Sequence, residues 1–141
     1  MDKLVLAANQ GNAKAQYNLG DCYLNGDGVL KDPQEAFRYF RLAADQGHAR
    51  AQCNLGFCYE NGAGVSKDTK EAVRYYRLAA DQGHAHAQSN LGFCYLSGTG
   101  VPKDLKEAVR YYRLPADQGD ARAQGNLGFC YENGAGVLPS C

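Results

Sequence analysis

The chain has 141 residues, 45% of them hydrophobic and 21% charged, a balance that excludes a disordered polyelectrolyte and suits one domain of ordinary size. Its 15 Lys and Arg are matched by 15 Asp and Glu, and a net charge of zero argues against a nucleic-acid or membrane-surface protein. The 17 glycines follow no Gly-X-Y period, so repeated turns rather than collagen account for them.

Residues 1–11 come first. Met1 to Gln10 holds one Lys and a brief LVLAA stretch, too short and too polar for a secretory signal. No apolar run nears the ~20 residues that cross a bilayer. The expectation is a cytoplasmic chain with no membrane partner, or a piece of a longer chain. Ala7-Ala8 fall on Ala43-Ala44 and Gly11 on Gly47, so this segment reads as the tail of a helix that recurs downstream.

The recurrence decides the fold. The string AQ-x-NLG begins at Ala15, Ala51, Ala87 and Ala123, each 36 residues after the last (51 − 15, 87 − 51, 123 − 87). Cys-Tyr recurs at Cys22, Cys58, Cys94 and Cys130, and Gly-x-Gly-Val at Gly26, Gly62, Gly98 and Gly134. Residues 49–84 and 85–120 match at 27 of 36 positions without a gap. The units are 13–48, 49–84, 85–120 and a partial fourth over 121–141.

Each unit reads as helix A, a glycine loop and helix B. In the first, Asp32-Pro33-Gln34-Glu35 opens helix B, with Pro at the first helical position, where its missing N–H does no harm. In the second, Ala51, Leu55, Cys58 and Tyr59 sit at i, i+4, i+7 and i+8, one face of helix A. Gly62-Ala63-Gly64 breaks that helix. Asp68 and Glu71 form a capping-box pair at the start of helix B. Ala72, Tyr76, Ala79 and Ala80 repeat the spacing before Gly83 stops the helix. The third unit opens helix B with Asp104 and Glu107 but carries Pro115 where Ala43 and Ala79 stand. A proline there costs about 3 kcal/mol in a regular helix, which predicts a kink or an early end. The fourth unit supplies helix A and its loop, then only Leu138-Pro139-Ser140-Cys141. Neither end carries a polar capping helix, so end-to-end self-association is expected. Stacked helix pairs bury together the apolar faces that neither helix buries alone.

The pattern A-x-x-x-LG-x-x-Y-x-x-G-x-GV-x-x-D-x-x-x-A-x-x-x-Y-x-x-AA-x-x-G is carried by Ala51, Leu55, Gly56, Tyr59, Gly62, Gly64, Val65, Asp68, Ala72, Tyr76, Ala79, Ala80 and Gly83. It resembles the Sel-like repeat, a relative of the tetratricopeptide repeat, over essentially the whole chain. The resemblance implies an all-α, right-handed superhelical solenoid that gathers protein partners, with no cofactor and no active site. One secreted branch of that family staples its helix pairs with two cysteines per repeat. Here the repeated cysteine occurs once per unit, and helix B has none.

Equivalent cysteines in neighbouring repeats should lie ~8–10 Å apart, beyond the ~7 Å that a disulfide tolerates. Cys22, Cys58, Cys94 and Cys130 therefore read as reduced core side chains, and Cys53 and Cys141 as exposed ones. His48, His84 and His86 form no metal constellation. His48 and His84 stand where Asn12 and Asp120 do, as solvated residues at the start of helix A. No nucleophile motif occurs, and Gly-x-Gly-Val follows a helix and lacks the Lys-Ser/Thr of a phosphate loop. On helix B, Arg38, Arg41, Arg74, Arg77, Arg110 and Arg113 are interspersed with acids and read as a solvated outer face.

The variable positions lie opposite the core on helix A: Lys14, Tyr17, Asp21 and Leu24; Arg50, Cys53, Phe57 and Glu60; His86, Ser89, Phe93 and Leu96; Arg122, Gly125, Phe129 and Glu132. Phe57, Phe93 and Phe129 line up across three repeats. Asn54, Asn90 and Asn126, with Asn18, border them. An aromatic stripe flanked by changing charges suits a peptide or helix guest. The candidate partner-binding residues are Tyr17, Arg50, Asn54, Phe57, His86, Asn90, Phe93, Arg122, Asn126 and Phe129. The alternative is a structural spacer or self-assembling module without a groove ligand.

Overall fold

The computed structural model of the chain describes residues 1–132, and over them it is all helical. In order the elements are α1 (Asp2–Asn9), α2 (Ala13–Asn25), α3 (Pro33–Asp45), α4 (Ala49–Asn61), α5 (Thr69–Asp81), α6 (Ala85–Ser97), α7 (Leu105–Asp117) and α8 (Ala121–Glu132). The even-numbered helices are the A helices. α1 is a lone helix B, and α3, α5 and α7 complete three A/B pairs. The substantial contacts join consecutive helices, the one-dimensional packing of a repeat solenoid.

The helix ends follow from local chemistry. Gly26, Gly62 and Gly98 close the A helices at φ of +77°, +69° and +74°, left-handed geometry that glycine adopts without a Cβ penalty. Asp32, Asp68 and Asp104 cap the B helices by accepting from the N–H of Glu35, Glu71 and Glu107 at 3.2–3.3 Å. Only this half of the capping box forms. The backbone N–H of Asp68 donates instead to the Tyr59 carbonyl at the end of α4. Glu71 is taken by Arg74 at 3.0 Å, and Glu35 and Glu107 pair likewise with Arg38 and Arg110.

Within a pair, the glycine of each NLG string lets an aromatic ring lie against the helix backbone. A Cβ at Gly56 would sit 2.7 Å from the Tyr76 ring, and one at Gly20 2.8 Å from Phe40. Those rings are fully buried, beside Leu19, Leu55 and Leu91. Between pairs, the buried glutamines of the first two AQ strings, Gln16 and Gln52, form the joint. Gln52 Nε2 donates to the Ala44 carbonyl of α3 at 3.3 Å, and its Oε1 accepts from Gln82 just beyond α5 at 2.7 Å. Gln16 does the same with Ala8 and Gln46. The second loop glycine docks on the preceding unit. A Cβ at Gly64 would meet the Pro33 carbonyl oxygen at 2.1 Å, and one at Gly100 that of Thr69 at 2.3 Å.

Three sequence expectations need correction. α7 reaches Asp117, the same length as α3 and α5, so Pro115 does not end it early. Its ring packs fully buried, and the helix runs on for two residues past the bond to Tyr111 that proline cannot make. Cys53 is buried at 5% exposure rather than exposed, because the neighbouring A helix covers it and Asn90 Nδ2 approaches its sulfur at 3.6 Å; Cys141 lies outside the described residues. Among the repeated cysteines, Cys58, Cys94 and Cys130 are buried but Cys22 is only partly so. The helix B arginines keep to the solvated face, Arg77 alone being half-buried, and several also meet tyrosines. Arg38, Arg74 and Arg110 lie 4.3–4.4 Å from the centroids of Tyr39, Tyr75 and Tyr111, and Arg77 donates to the hydroxyls of Tyr95 and Tyr111.

Candidate binding groove

The groove is built on α2, α4, α6 and α8, whose starts share one device. A side chain just before each helix accepts the N–H three residues on: Asn12 for Ala15, His48 for Ala51, His84 for Ala87 and Asp120 for Ala123, at 2.8–3.2 Å. His48 and His84 accept through Nδ1, so they cap as neutral imidazoles with Nδ1 unprotonated. Desolvation holds both below the ordinary histidine range, His48 with help from Arg50 and His84 with help from His86 and Arg50. The histidines read as solvated are therefore structural caps.

Two adjoining clefts open along the A helices. The larger, about 410 Å³, is bounded by Asn54, Phe57, Glu60 and Asn61 of α4, His86, Asn90 and Phe93 of α6, Tyr76, Cys53 and Arg122. The smaller, about 200 Å³, is bounded by Tyr17 of α2, by Arg50, Cys53 and Asn54 of α4, and by His84 and His86. Asn54, Cys53 and His86 belong to both, so the clefts form one trough. Eight of the ten candidate residues border it: Tyr17, Arg50, Asn54, Phe57, His86, Asn90, Phe93 and Arg122. Asn126 and Phe129, on α8, lie outside both clefts.

Phe57 and Phe93 are 47% and 46% exposed and Phe129 51%, large apolar faces directed to solvent. Tyr17 stacks on His48 with ring centroids 5.0 Å apart, and the Arg50 guanidinium lies 5.2 Å from the Tyr17 centroid. The Asn54 amide makes no hydrogen bond among the described residues, while Asn90 is tied to Cys53.

Sequence reasoning placed Tyr76 only in the core and left Asn61 unmentioned. Tyr76 forms the floor, donating its hydroxyl to Glu60 Oε1 at 2.7 Å. Asn61 lies one turn after Phe57 and donates to its carbonyl at 3.0 Å. The available signal was spacing: Glu60 and Tyr76 are 16 residues apart, as are the stacked pairs Tyr23–Tyr39, Tyr59–Tyr75 and Tyr95–Tyr111.

The trough holds ionisable groups shifted by burial. Its one thiol, Cys53, is pushed up to about 11 by burial, which keeps it protonated and un-nucleophilic near neutral pH. Burial and the bond to Glu60 likewise push the Tyr76 hydroxyl well above its ordinary value. Among the described residues no group of three or more His, Cys, Asp or Glu is placed to hold a metal ion, and no helix is long and apolar enough to cross a membrane.

Paired helices in a 36-residue period, joined end to end and bearing a trough on their A helices, define an all-α repeat solenoid. The chain belongs to the Sel1 repeat family, whose sequence pattern matches residues 13–48, 49–84, 85–120 and 121–140. It is similar to the crystal structure of a Sel1 repeat protein from Oxalobacter formigenes, at 44% identity and a TM-score of 0.85 over 91% of this chain and 53% of that one. It is also similar to c5321, a protective antigen of uropathogenic Escherichia coli strains displaying an SLR fold (41% identity, TM-score 0.94, 97% of this chain and 29% of that one). Helicobacter pylori cysteine rich protein B matches at 28% identity and a TM-score of 0.70, over 89% of this chain and 95% of that one. The chain thus spans about half the length of the first relative and under a third of the second. Comparison with curated proteins gives no match. Sel1 repeat proteins form a non-catalytic family and generally serve as protein–protein interaction scaffolds.

Proposed function

We propose that this chain is an interaction scaffold whose A-helix trough receives an extended segment of a partner protein, in a reducing compartment such as the cytoplasm. The observation that carries the reading is the convergence of Asn54, Phe57, Asn90 and Phe93 on one cleft. Two half-exposed phenyl rings supply apolar contact area at low entropic cost. Asn54 offers both an amide donor and an acceptor to a guest backbone. The trough holds neither an activated nucleophile nor a metal cluster among its described residues, which favours binding over catalysis.

The test is an affinity capture from the source cell with the wild-type chain beside Phe57→Glu/Phe93→Glu. Both side chains already face solvent, so the variant should fold, and circular dichroism checks that it does. A protein held by the wild type and lost by the variant supports the groove. Identical capture by both chains would overturn it and favour a spacer or end-to-end assembly.

A further inference from the structure

Lys14, Arg50, His86 and Arg122 are each the second residue of an A helix, 36 residues apart, and all four are exposed. They form a row along one rim of the trough, where Arg50, His86 and Arg122 border the clefts. Among the described residues Lys14, Arg50 and Arg122 have no ion-pair partner. The arginines that do, Arg38, Arg74 and Arg110, all belong to B helices. The first turns of the A helices hold no acid, whereas α3, α5 and α7 each hold a Glu behind an Asp cap. Of the acids on the A helices and their caps, Asp120 caps α8 through Ala123, Asp21 accepts from Asn25 and Glu60 from Tyr76, and Glu132 is exposed. Other Lys and Arg side chains, Arg41, Arg77 and Arg113 among them, also lack an ion pair among the described residues, so this row is set apart by its place: exposed cations at matching positions beside an aromatic ridge, with no acid in the helical turns that carry them.

We infer, resting on the groove reading above, that the guest is an acidic, proline-rich segment in the polyproline II conformation, with a carboxylate at every third residue facing this rim. Asn90 of α6 reaches Cys53 of α4, so neighbouring A helices lie side by side, which for packed helices means a spacing on the order of 10 Å. Polyproline II advances about 9 Å per three-residue turn, so residues i, i+3 and i+6 share one side and fall in step with the repeats. A β-strand would turn residues i and i+3 to opposite sides. The faces left over meet Phe57 and Phe93, and aromatic-lined grooves accept proline-rich segments without charging them much ordering entropy.

The probe is a fluorescein-labelled (Glu-Pro-Pro)4 peptide, titrated with the full chain and read by anisotropy. Comparison peptides are (Gln-Pro-Pro)4, (Lys-Pro-Pro)4 and a peptide of equal composition with its four Glu in one block. The expected result is binding to (Glu-Pro-Pro)4 that is tighter than to any comparison peptide and weakens as salt rises. Arg50→Glu/Arg122→Glu should weaken it about tenfold or more. Arg50→Gln/Arg122→Gln gives the same test should charge reversal disturb folding. Four results would overturn the inference. Equal affinity for the Gln peptide, lost in Phe57→Glu/Phe93→Glu, removes the acidic rim while leaving the groove intact. Equal affinity for the block peptide removes the register. A thymidine oligonucleotide bound through Arg50 and Arg122 while (Glu-Pro-Pro)4 is not makes the rim a nucleic-acid contact. Binding of (Glu-Pro-Pro)4 that survives both the rim and the phenylalanine variants overturns this inference and the groove reading together.

Discussion

Replacing Gly64 with alanine isolates the contact that joins one repeat to the next. Gly28 and Gly64 occupy the same loop position and share a φ of +74°, so a Cβ costs each about 1 kcal/mol of left-handed strain. Their surroundings differ. At Gly28 the added Cβ meets only the Cε end of Met1, at 3.0 Å, and a methionine terminus moves cheaply. At Gly64 it meets the Pro33 carbonyl oxygen at 2.1 Å, the Pro33 carbonyl carbon at 2.5 Å and the Gln34 nitrogen at 2.9 Å. All three atoms are backbone at the start of α3, and they yield only if α3 and the loop separate. Overpacking costs roughly 1–3 kcal/mol, and rigid backbone on both sides places this case at the top of that range. Gly28→Ala should therefore cost about 1 kcal/mol and Gly64→Ala about 4, a large share of a typical 5–15 kcal/mol. Urea titrations followed by far-ultraviolet circular dichroism read the difference as a shift in midpoint. A changed slope would show that the array has split into separately unfolding pieces. Equal midpoints for the two variants would refute the docking of the loop on α3.

Tyr112 is buried with its hydroxyl unpartnered among the described residues, because Leu96 stands where Glu60 serves Tyr76. Tyr112→Phe should raise stability by about 1 kcal/mol, whereas Tyr76→Phe should lower it by about as much; thermal melts of both variants decide. Burial holds His48 and His84 below the ordinary histidine value of 6.5 in the folded state, so the folded state binds fewer protons than the unfolded one. Their contribution is full above the unfolded value and is lost as pH falls through 6.5 towards the folded values. Melting temperature should drop over that window in the wild type, and less in a His48→Asn/His84→Asn variant built on the Asn12 precedent. A pH profile unchanged by the double substitution would reject the capping role. Pro115→Ala restores the residue of Ala43 and Ala79 and one backbone hydrogen bond, so the chain should gain about 1–2 kcal/mol; chemical denaturation that shows a loss would mean the buried ring contributes more than the missing bond costs.

The helices and their ends were legible because their causes lie within a few residues. Asp68 caps a helix that begins beside it, and Gly62 ends one by its own backbone geometry. The joints were not legible, since each depends on how elements some 30 residues apart come to lie. Gln52 reads as an ordinary polar residue until Ala44 and Gln82 arrive on either side of it. Cys53 reads as exposed until α6 brings Asn90 over it. Glu71 reads as half of a capping box, but Arg74 competes for its carboxylate from one turn away and Tyr59 takes the Asp68 N–H from another helix. Along the trough the same split holds. The row of variable positions is periodic and visible in the letters, whereas the floor made by Tyr76 and Glu60 needs two helices in register.

Because the substantial contacts join only consecutive helices, the array is loaded in series, like the leaves of a spring. In such an array a small rotation at each joint would open or narrow the trough while the core pairs stay packed. A guest in the proposed trough would then set the curvature, with the elastic work shared among the joints. The joints are not equal: Gln16 and Gln52 each accept from the glutamine just beyond the next helix, while Gln88 Oε1 has no partner among the described residues, so bending would fall first on the joint at Gln88.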